Sequence, residues 1–200
     1  METAIAEAFR IFQREGMEGH TEEELRDRLN LAPESYRSMF RSLEDLILQV
    51  ARYDLAAQMQ EDDRLLGMAQ NAAEEVTVLL LMGVSRLRGY HPQYFAQLQR
   101  NYPAVWEIYS THTQHHTFHK IYEVFNKGVM TGIFRKDLNL ELVTKICIAQ
   151  LNMLLNPSLF PPSRYNPAEV FRSIFLYYTR GICTEQGGKM AEAYFAKISL

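Results

Sequence analysis

The chain has 200 residues, of which 47% are hydrophobic and 22% are charged, and its formal net charge is −3. This balance is typical of a folded globular protein and excludes a disordered or strongly basic chain. The longest apolar run, residues 76–84, is much shorter than the ~20 residues of a membrane span, and the N-terminus lacks a basic leader with a cleavage site, so we expect a cytoplasmic protein with no membrane partner.

Apolar spacing predicts a first helix over about residues 3–15. Ile5, Ala8 and Phe12 are spaced three and four residues apart and therefore share one face of a helix. Gly16 follows this stripe and can end the helix, because glycine readily adopts the left-handed conformation of a C-cap.

Two further short helices are predicted from their first residues. Thr21 lies three residues before Glu24, the spacing of a capping box, and so begins the second helix. Asn30 tolerates the left-handed conformation of a tight turn, and Pro33 suits the first position of a third helix. Two helices joined by such a turn, the second of them short, form a helix-turn-helix.

A long fourth helix is predicted to begin after Ser42, whose hydroxyl can cap it. Its apolar stripe consists of Leu43, Leu46, Ile47, Val50, Tyr53 and Leu55. Tyr36 and Phe40 of the third helix are expected to point inward.

The rest of the chain also shows helical periodicity and no run of alternating β-branched residues. Turn residues divide it into helices over about 71–88, 92–100, 103–127, 140–155, 167–181 and 188–197. The helices at 140–155 and 167–181 are apolar on more than one face. Such helices contact both their own body and a symmetry mate, so we expect a homodimer.

Several N-terminal residues follow one spacing pattern: Phe12, Gly16, Thr21, Leu25, Leu29, Phe40, Ser42, Glu44 and Leu46. The pattern resembles that of the tetracycline-repressor (TetR) family of bacterial regulators, and segments 128–143 and 177–187 are similar to C-terminal features of some members. The resemblance implies an all-α protein. An N-terminal three-helix helix-turn-helix unit, residues 1–46, would be joined by a long helix to a larger effector-binding and dimerisation body, residues 47–200.

The resemblance also implies that the third helix enters the major groove of double-stranded operator DNA. The expected DNA-binding residues are Thr21, Arg28, Pro33, Glu34, Ser35, Arg37, Ser38 and Arg41. Arg37 stands in place of a tyrosine that commonly touches phosphate, a contact that arginine can also make. Glu34 replaces a small residue and could accept a hydrogen bond from a cytosine amine. Leu43 replaces a lysine, which removes one phosphate contact and about 0.9 from the salt slope of binding.

The charge of the N-terminal region leaves two functions open. Residues 1–50 carry six arginines against eleven acidic residues, a net charge of −5, whereas residues 51–200 carry a net charge of +2. The first function is a ligand-responsive transcriptional regulator, a repressor released from its operator by an effector. The alternative is a helical ligand-binding or interaction protein with a degenerate, acidic helix-turn-helix. A face lined by arginines, with the glutamates behind it, would favour the regulator.

The helical body is expected to bind a small hydrophobic or aromatic effector, because pockets between helices are mostly apolar with a few polar groups. The candidate lining residues are Met82, Arg86, Trp106 and Tyr109. An aromatic stripe of this kind is more often simply core. The sequence contains none of the common catalytic motifs, so we expect no enzyme activity and no cofactor.

Four histidines lie close together on the predicted helix 103–127: His112, His115, His116 and His119. Two pairs are spaced by four residues, and His112 with His116 is the candidate metal-binding pair. The other interpretation is a hydrated or interface surface, which we prefer because two imidazoles do not complete a metal site.

Overall fold

The computed structural model describes residues 2–154, 156, 158–161 and 164–196. This part of the chain is all-α, as the sequence predicts, and its only β-type pairing is an isolated antiparallel bridge between Phe134 and Cys183. The helices are α1 (Glu2–Glu15), α2 (Glu22–Arg28), α3 (Pro33–Met39), α4 (Leu43–Leu66), α5 (Ala72–Gly89), α6 (Tyr94–Asn101), α7 (Pro103–His112), α8 (Phe118–Met130), α9 (Leu140–Leu154), α10 (Pro167–Ile182) and α11 (Glu185–Phe195).

The chain forms two compact units. The first unit comprises Met1–Glu61 and Arg88–Gln114, and the second comprises Asp62–Leu87 and His115–Leu200. The TetR resemblance implies a different division, at residue 46, which stays a prediction. In the structure, the first unit contains α1–α3 together with α6 and α7. Among the described residues, no helix is both long and apolar enough to cross a membrane.

Local signals at the start of the chain are confirmed. Gly16 ends α1 with a φ of +86°, and Asn30 adopts a left-handed φ of 54° in the turn between α2 and α3. The Thr21 hydroxyl accepts a 3.2 Å hydrogen bond from the backbone N–H of Glu24 and so caps α2. Pro33 occupies the first turn of α3. Thr21, Asn30 and Pro33 thus define α2, the turn and α3 as a helix-turn-helix.

The start of α4 is held by side chains from two places in the sequence. Ser42 accepts a 3.1 Å hydrogen bond from the Asp45 N–H, which confirms the predicted cap. The Asp45 carboxylate accepts the N–H of Arg41 at 2.9 Å. Glu22 of α2 accepts the N–H of Leu43 at 2.8 Å. The end of α3 and the start of α4 are thereby fixed to α2.

The core of the first unit is formed by the apolar faces predicted from the sequence. Its fully buried residues include Phe12 of α1, Leu25 of α2, and Leu46 of α4. Tyr36 and Phe40 are also buried, with their rings 5.2 Å apart, so the inward face of α3 is confirmed. On the other side of α3, Pro33, Glu34, Arg37 and Ser38 are exposed.

In the second unit, the segment after α8 packs tightly against the α10–α11 connection. A Cβ atom on Gly187 would lie 2.0 Å from the Ile133 carbonyl oxygen, so only glycine fits there. Thr184 caps α11 by accepting the Gly187 N–H at 3.1 Å, and its hydroxyl donates to the carbonyl of Gly132 at 2.8 Å. This segment is fixed by backbone contacts.

The predicted helix 103–127 is interrupted. A π-helical turn over Thr113–Thr117 lies between α7 and α8. A π-turn accommodates one more residue per turn than an α-helix, so the spacing of side chains changes across it. The regular α-helical spacing expected for the four histidines is therefore not maintained through this turn.

Candidate DNA-reading and ligand-binding residues

The exposed surface of α3 is polar and carries most of the residues expected to read DNA. Pro33, Glu34, Arg37 and Ser38 are exposed, and Ser35 is half-exposed. Ser38 donates a 2.8 Å hydrogen bond to the carbonyl of Ser35, which fixes its hydroxyl. The structure therefore places these five residues together on one short helix.

Two arginines at this surface form no ion pair within the part of the chain that the structure describes. Arg37 and Arg41 are exposed, and no acidic side chain of the described residues forms an ion pair with either of them. Nε of Arg37 donates a 3.2 Å hydrogen bond to the Pro33 carbonyl, so its guanidinium lies over the start of α3. Both arginines keep guanidinium donors for an anionic partner.

Arg28, by contrast, is engaged within the unit. Its two terminal nitrogens donate to the two carboxylate oxygens of Glu15 at 2.7 and 2.5 Å. Glu24 lies 3.5 Å from the same guanidinium. The hydrogen bond from Arg28 and its charge lower the pKa of Glu15. Bidentate pairs of this type orient both partners, so Arg28 ties α2 to α1 in this structure.

The other N-terminal arginines also differ in whether they pair with an acidic side chain. Arg26 pairs with Asp27 at 2.6 Å, and Arg10 pairs with Glu7 at 2.8 Å. Arg14 donates to the carbonyl of Arg10 at 3.2 Å. Three of the six arginines are therefore neutralised by acidic neighbours.

Several acidic residues of the N-terminal region have structural partners. Besides the caps provided by Glu22 and Asp45, Glu18 accepts hydrogen bonds from Arg100 and from the Asn101 amide, the latter at 2.8 Å. These bonds lower the pKa of Glu18. The local excess of negative charge is thus partly used to connect helices of the first unit. Thr21, another expected DNA contact, is exposed, although its hydroxyl oxygen already accepts the cap bond.

The four candidate effector residues fall in different units. Trp106 and Tyr109 belong to α7 in the first unit, and Met82 and Arg86 belong to α5 in the second. Met82 and Tyr109 are buried, and Trp106 is half-buried. Their joint role as a lining stays a prediction.

Arg86 forms an ion pair with Asp62, which is itself buried. The predicted polar anchor of the effector therefore has a structural partner within the second unit.

A buried carboxylate in the first unit escapes the sequence prediction. Asp54 of α4 is only 3% exposed. One of its oxygens, Oδ2, accepts hydrogen bonds from the hydroxyls of Tyr90 at 2.5 Å and Tyr109 at 2.8 Å. Gln58 donates its amide to the other oxygen at 3.0 Å. The sequence did contain a signal, because Asp54 lies four residues after the buried Val50, on the apolar stripe of α4.

A connected group of rings begins at the two tyrosines that bond to this carboxylate, and we call Asp54 with these rings the Asp54 cluster. Its rings belong to Tyr90, Tyr94, Phe95, Trp106 and Tyr109. The centroids of Tyr90 and Tyr94 are 4.7 Å apart, those of Phe95 and Tyr109 are 5.5 Å apart, and Phe95 lies 6.4 Å from Trp106. The Tyr94 and Tyr109 hydroxyls are 3.3 Å apart. The rings form a continuous path from the half-buried Trp106 to the carboxylate.

The histidines are partly solvent-exposed, and no metal-binding group emerges from them. His115 and His119 are exposed, whereas His112 and His116 are half-buried. Among the described residues, no three His, Cys, Asp or Glu side chains are grouped so that they could hold a metal ion.

The fold is that of TetR-family transcriptional regulators. A transcriptional regulator from Saccharomonospora viridis in complex with choline aligns with a TM-score of 0.78 at 15% identity, over 92% of this chain and 97% of the other. A TetR-family regulator from Cytophaga hutchinsonii aligns with a TM-score of 0.75 at 16% identity, over 92% and 94%. A Bacillus subtilis regulator in complex with stearoyl-CoA gives 0.66 at 12% identity, over 90% and 98%. The sequence matches no family model and no curated protein.

Proposed function

We propose that this protein is a ligand-responsive transcriptional repressor that binds operator DNA through α2 and α3 and is released by a small-molecule effector. The observation that carries this proposal is the exposed polar surface of α3, with Arg37 and Arg41 free of ion pairs among the described residues. Guanidinium groups in such positions bind phosphates and the base edges of guanine. The role proposed is binding rather than catalysis.

The net charge of −5 over residues 1–50 overstates the repulsion between the N-terminal region and DNA. Glu15, Glu18, Glu22 and Asp45 bond to partners inside the first unit. Each of these carboxylates is therefore held in a fixed direction by a hydrogen bond within the first unit. Glu34 remains on the exposed face of α3, where a carboxylate can accept a hydrogen bond from cytosine.

A homodimer is part of the proposal. On α9, Leu142, Ile146 and Met153 are exposed although apolar, and on α10 Tyr177 is 68% exposed. Exposed apolar side chains on these two helices favour an isologous interface. Two-fold symmetry would place two copies of α3 against half-sites about 34 Å apart, and an effector would act by changing that separation.

Some neighbouring structures also fit the proposed response to an effector. One regulator of this fold is described with choline and another with stearoyl-CoA. The two ligands share little chemistry, so the fold alone does not select a ligand class. Trp106, Tyr109, Met82 and Arg86 are the residues that we propose to test first by substitution.

Fluorescence anisotropy tests the DNA-binding proposal directly. The protein is titrated into a labelled duplex from its own upstream region and into a scrambled duplex, at low and physiological salt. We expect selective binding with a steep salt dependence. The variant R37A/R41A should bind weakly to both duplexes. R172A, which removes one exposed positive charge on α10, serves as the control and should bind like the wild type.

Unselective binding to the upstream region would call for a selection from random duplexes. If that selection also yields no preferred sequence, the alternative holds: a TetR-like ligand-binding or interaction protein with a degenerate helix-turn-helix. The observation in its favour is the pairing of Arg10, Arg26 and Arg28 with acidic neighbours, which reduces the charge available for phosphates.

A further inference from the structure

Glu34 lies at the centre of the exposed face of α3. Tyr36, which anchors this helix in the core, is only 3% exposed, and the helical rotation per residue places Glu34 about 160° away from it around the helix axis. Arg37 and Ser38 follow one turn later, about 60° and 40° to either side of Glu34. All three of these residues are exposed. DNA that lies against this face of α3 therefore also lies against the Glu34 carboxylate.

The Glu34 carboxylate forms no ion pair or side-chain hydrogen bond within the part of the chain that the structure describes. Glu22, by contrast, accepts the N–H of Leu43 at 2.8 Å. Arg37 is three residues from Glu34, a spacing at which opposite charges often pair on a helix, but its Nε donates to the Pro33 carbonyl at 3.2 Å instead. The acceptor oxygens of Glu34 are therefore open to a donor from outside the protein.

The four bases of DNA differ in what they present to a carboxylate in the major groove. Guanine presents only acceptors, and thymine presents an acceptor and a methyl group. Adenine presents an amine donor next to an acceptor, whereas cytosine presents an amine donor alone. An ionised carboxylate accepts hydrogen bonds and donates none. Cytosine is therefore the base that satisfies a carboxylate without placing a second acceptor beside it.

A different base at this position is penalised. Docking of α3 removes water from the Glu34 carboxylate, and an acceptor that loses its hydration without gaining a donor costs free energy. The phosphate groups of both strands add electrostatic repulsion. Glu34 thus weakens binding to duplexes that do not present a suitable amine, and an acidic residue on this surface increases selectivity in that way.

We propose that Glu34 is a specificity-determining residue that selects a cytosine, and hence a C·G base pair, in the major groove. Glu34 lies in the first turn of α3, and the N-terminal residues of a recognition helix are those that contact base edges. This inference rests on the proposed function, because it requires DNA binding through α3. It deepens that function by naming one base pair of the operator and the side chain that selects it.

Selection from random-sequence duplexes tests the assignment with four proteins: the wild type, E34A, E34Q and E44Q. Glu44 is exposed at the start of α4, and E44Q removes the same charge as E34Q while leaving α3 unchanged. We expect the wild type to select a C·G pair at one position where E34A shows no preference. Glutamine pairs with adenine, so E34Q should select an A·T pair at that position. E44Q should select the wild-type sequence.

Fluorescence anisotropy on the selected duplex then measures the size of the effect. Replacing this C·G pair by T·A should weaken wild-type binding by about fivefold or more, the usual cost of one mismatched pair, and should leave E34A binding nearly unchanged. E34A should also bind a scrambled duplex more tightly than the wild type does, because the repulsion between the carboxylate and the phosphates is gone. Circular dichroism of the DNA-free variants checks that each is folded.

The outcomes separate this inference from the proposed function. A selected sequence that is the same for the wild type and E34A retains the proposed function and overturns the role of Glu34, and so does a wild-type sequence without a selected C·G pair. Loss of the preference in E44Q as well as in E34A would also overturn it, since the effect would then be one of net charge. If the wild type selects no sequence at all, both the inference and the proposed function are wrong.

Discussion

Tyr109 and Tyr90 donate their hydroxyls to the same carboxylate oxygen, Oδ2 of Asp54, at 2.8 and 2.5 Å. Tyr109 belongs to α7, Tyr90 follows α5, and Asp54 belongs to α4, so this one oxygen connects three parts of the first unit. Because a buried acceptor left without its donors would cost free energy, these two hydrogen bonds contribute to the stability of the first unit.

Removal of one of these hydroxyls should therefore destabilise the protein. We expect Y109F to lower the free energy of unfolding by about 1.5–3 kcal/mol, the range for hydrogen bonds to charged groups. Urea denaturation followed by circular dichroism measures this change. Y194F removes a hydroxyl that makes no hydrogen bond with the described residues, and it should be neutral. Equal stability of Y109F and Y194F would show that the bond to Asp54 contributes nothing net.

The same tyrosines should make the protein sensitive to alkali. Burial raises the pKa of Tyr90, so the folded protein retains a proton that the unfolded chain releases above about pH 10. The stability that this difference provides is complete below pH 10 and falls as the pH rises further. Urea unfolding from about pH 8 to pH 11 should show a steeper loss in the wild type than in Y90F. Parallel curves would contradict the assignment.

Local features of the sequence predict the secondary structure well because their physical causes are local. The Thr21 and Ser42 caps and the left-handed Asn30 each depend on residues within a few positions. Contacts between helices are a different matter. The bond from Leu43 to Glu22 and the pair of Arg28 with Glu15 span 21 and 13 residues, and only the folded chain brings them together.

The candidate sites were predicted less completely for the same reason. The exposed residues of α3 follow from helical periodicity, because Tyr36 and Phe40 fix the buried face. The Asp54 cluster does not follow from it, because its tyrosines come from α6, α7 and the residue after α5. The position of Asp54 on the apolar face of α4 is the one sequence feature that indicates this cluster. The π-helical turn at Thr113–Thr117 has no comparable sequence signal that we can identify.

Adjacent glycines in α11 provide a sharp test of packing in the second unit. Gly187→Ala places a Cβ atom 2.0 Å from the carbonyl oxygen of Ile133, so the backbone must move. We expect a loss of roughly 1–3 kcal/mol or more in the free energy of unfolding. Gly188 has no atom within 4 Å of such a Cβ atom. Gly188→Ala should therefore stabilise the helix by up to about 1 kcal/mol. Similar values for the two variants in urea would refute the close contact.

Glu15 is expected to limit DNA binding through its pair with Arg28. Glu15→Gln removes the negative charge, so Arg28 can contact a phosphate instead. We expect tighter binding to both specific and scrambled duplexes, and a salt slope steeper by up to about 0.9 for the added contact. Glu185→Gln is the control. Glu185 pairs with Lys189 on α11, and its substitution changes the net charge by the same amount. Identical affinities for the two variants would mean that Arg28 does not reach the DNA backbone.

The exposed apolar face of α9 is expected to be buried in a homodimer. Ile146 is 40% exposed although it is a large aliphatic residue, and Leu142 on the preceding turn is also exposed. An aspartate in an apolar interface loses its hydration without gaining a partner, so Ile146→Asp should yield a monomer by light scattering at micromolar concentration. Met130 on α8 is more exposed, and M130D should remain dimeric. A monomeric wild type would refute the interface. If I146D instead stays dimeric with its native circular dichroism spectrum, the subunits associate through another surface.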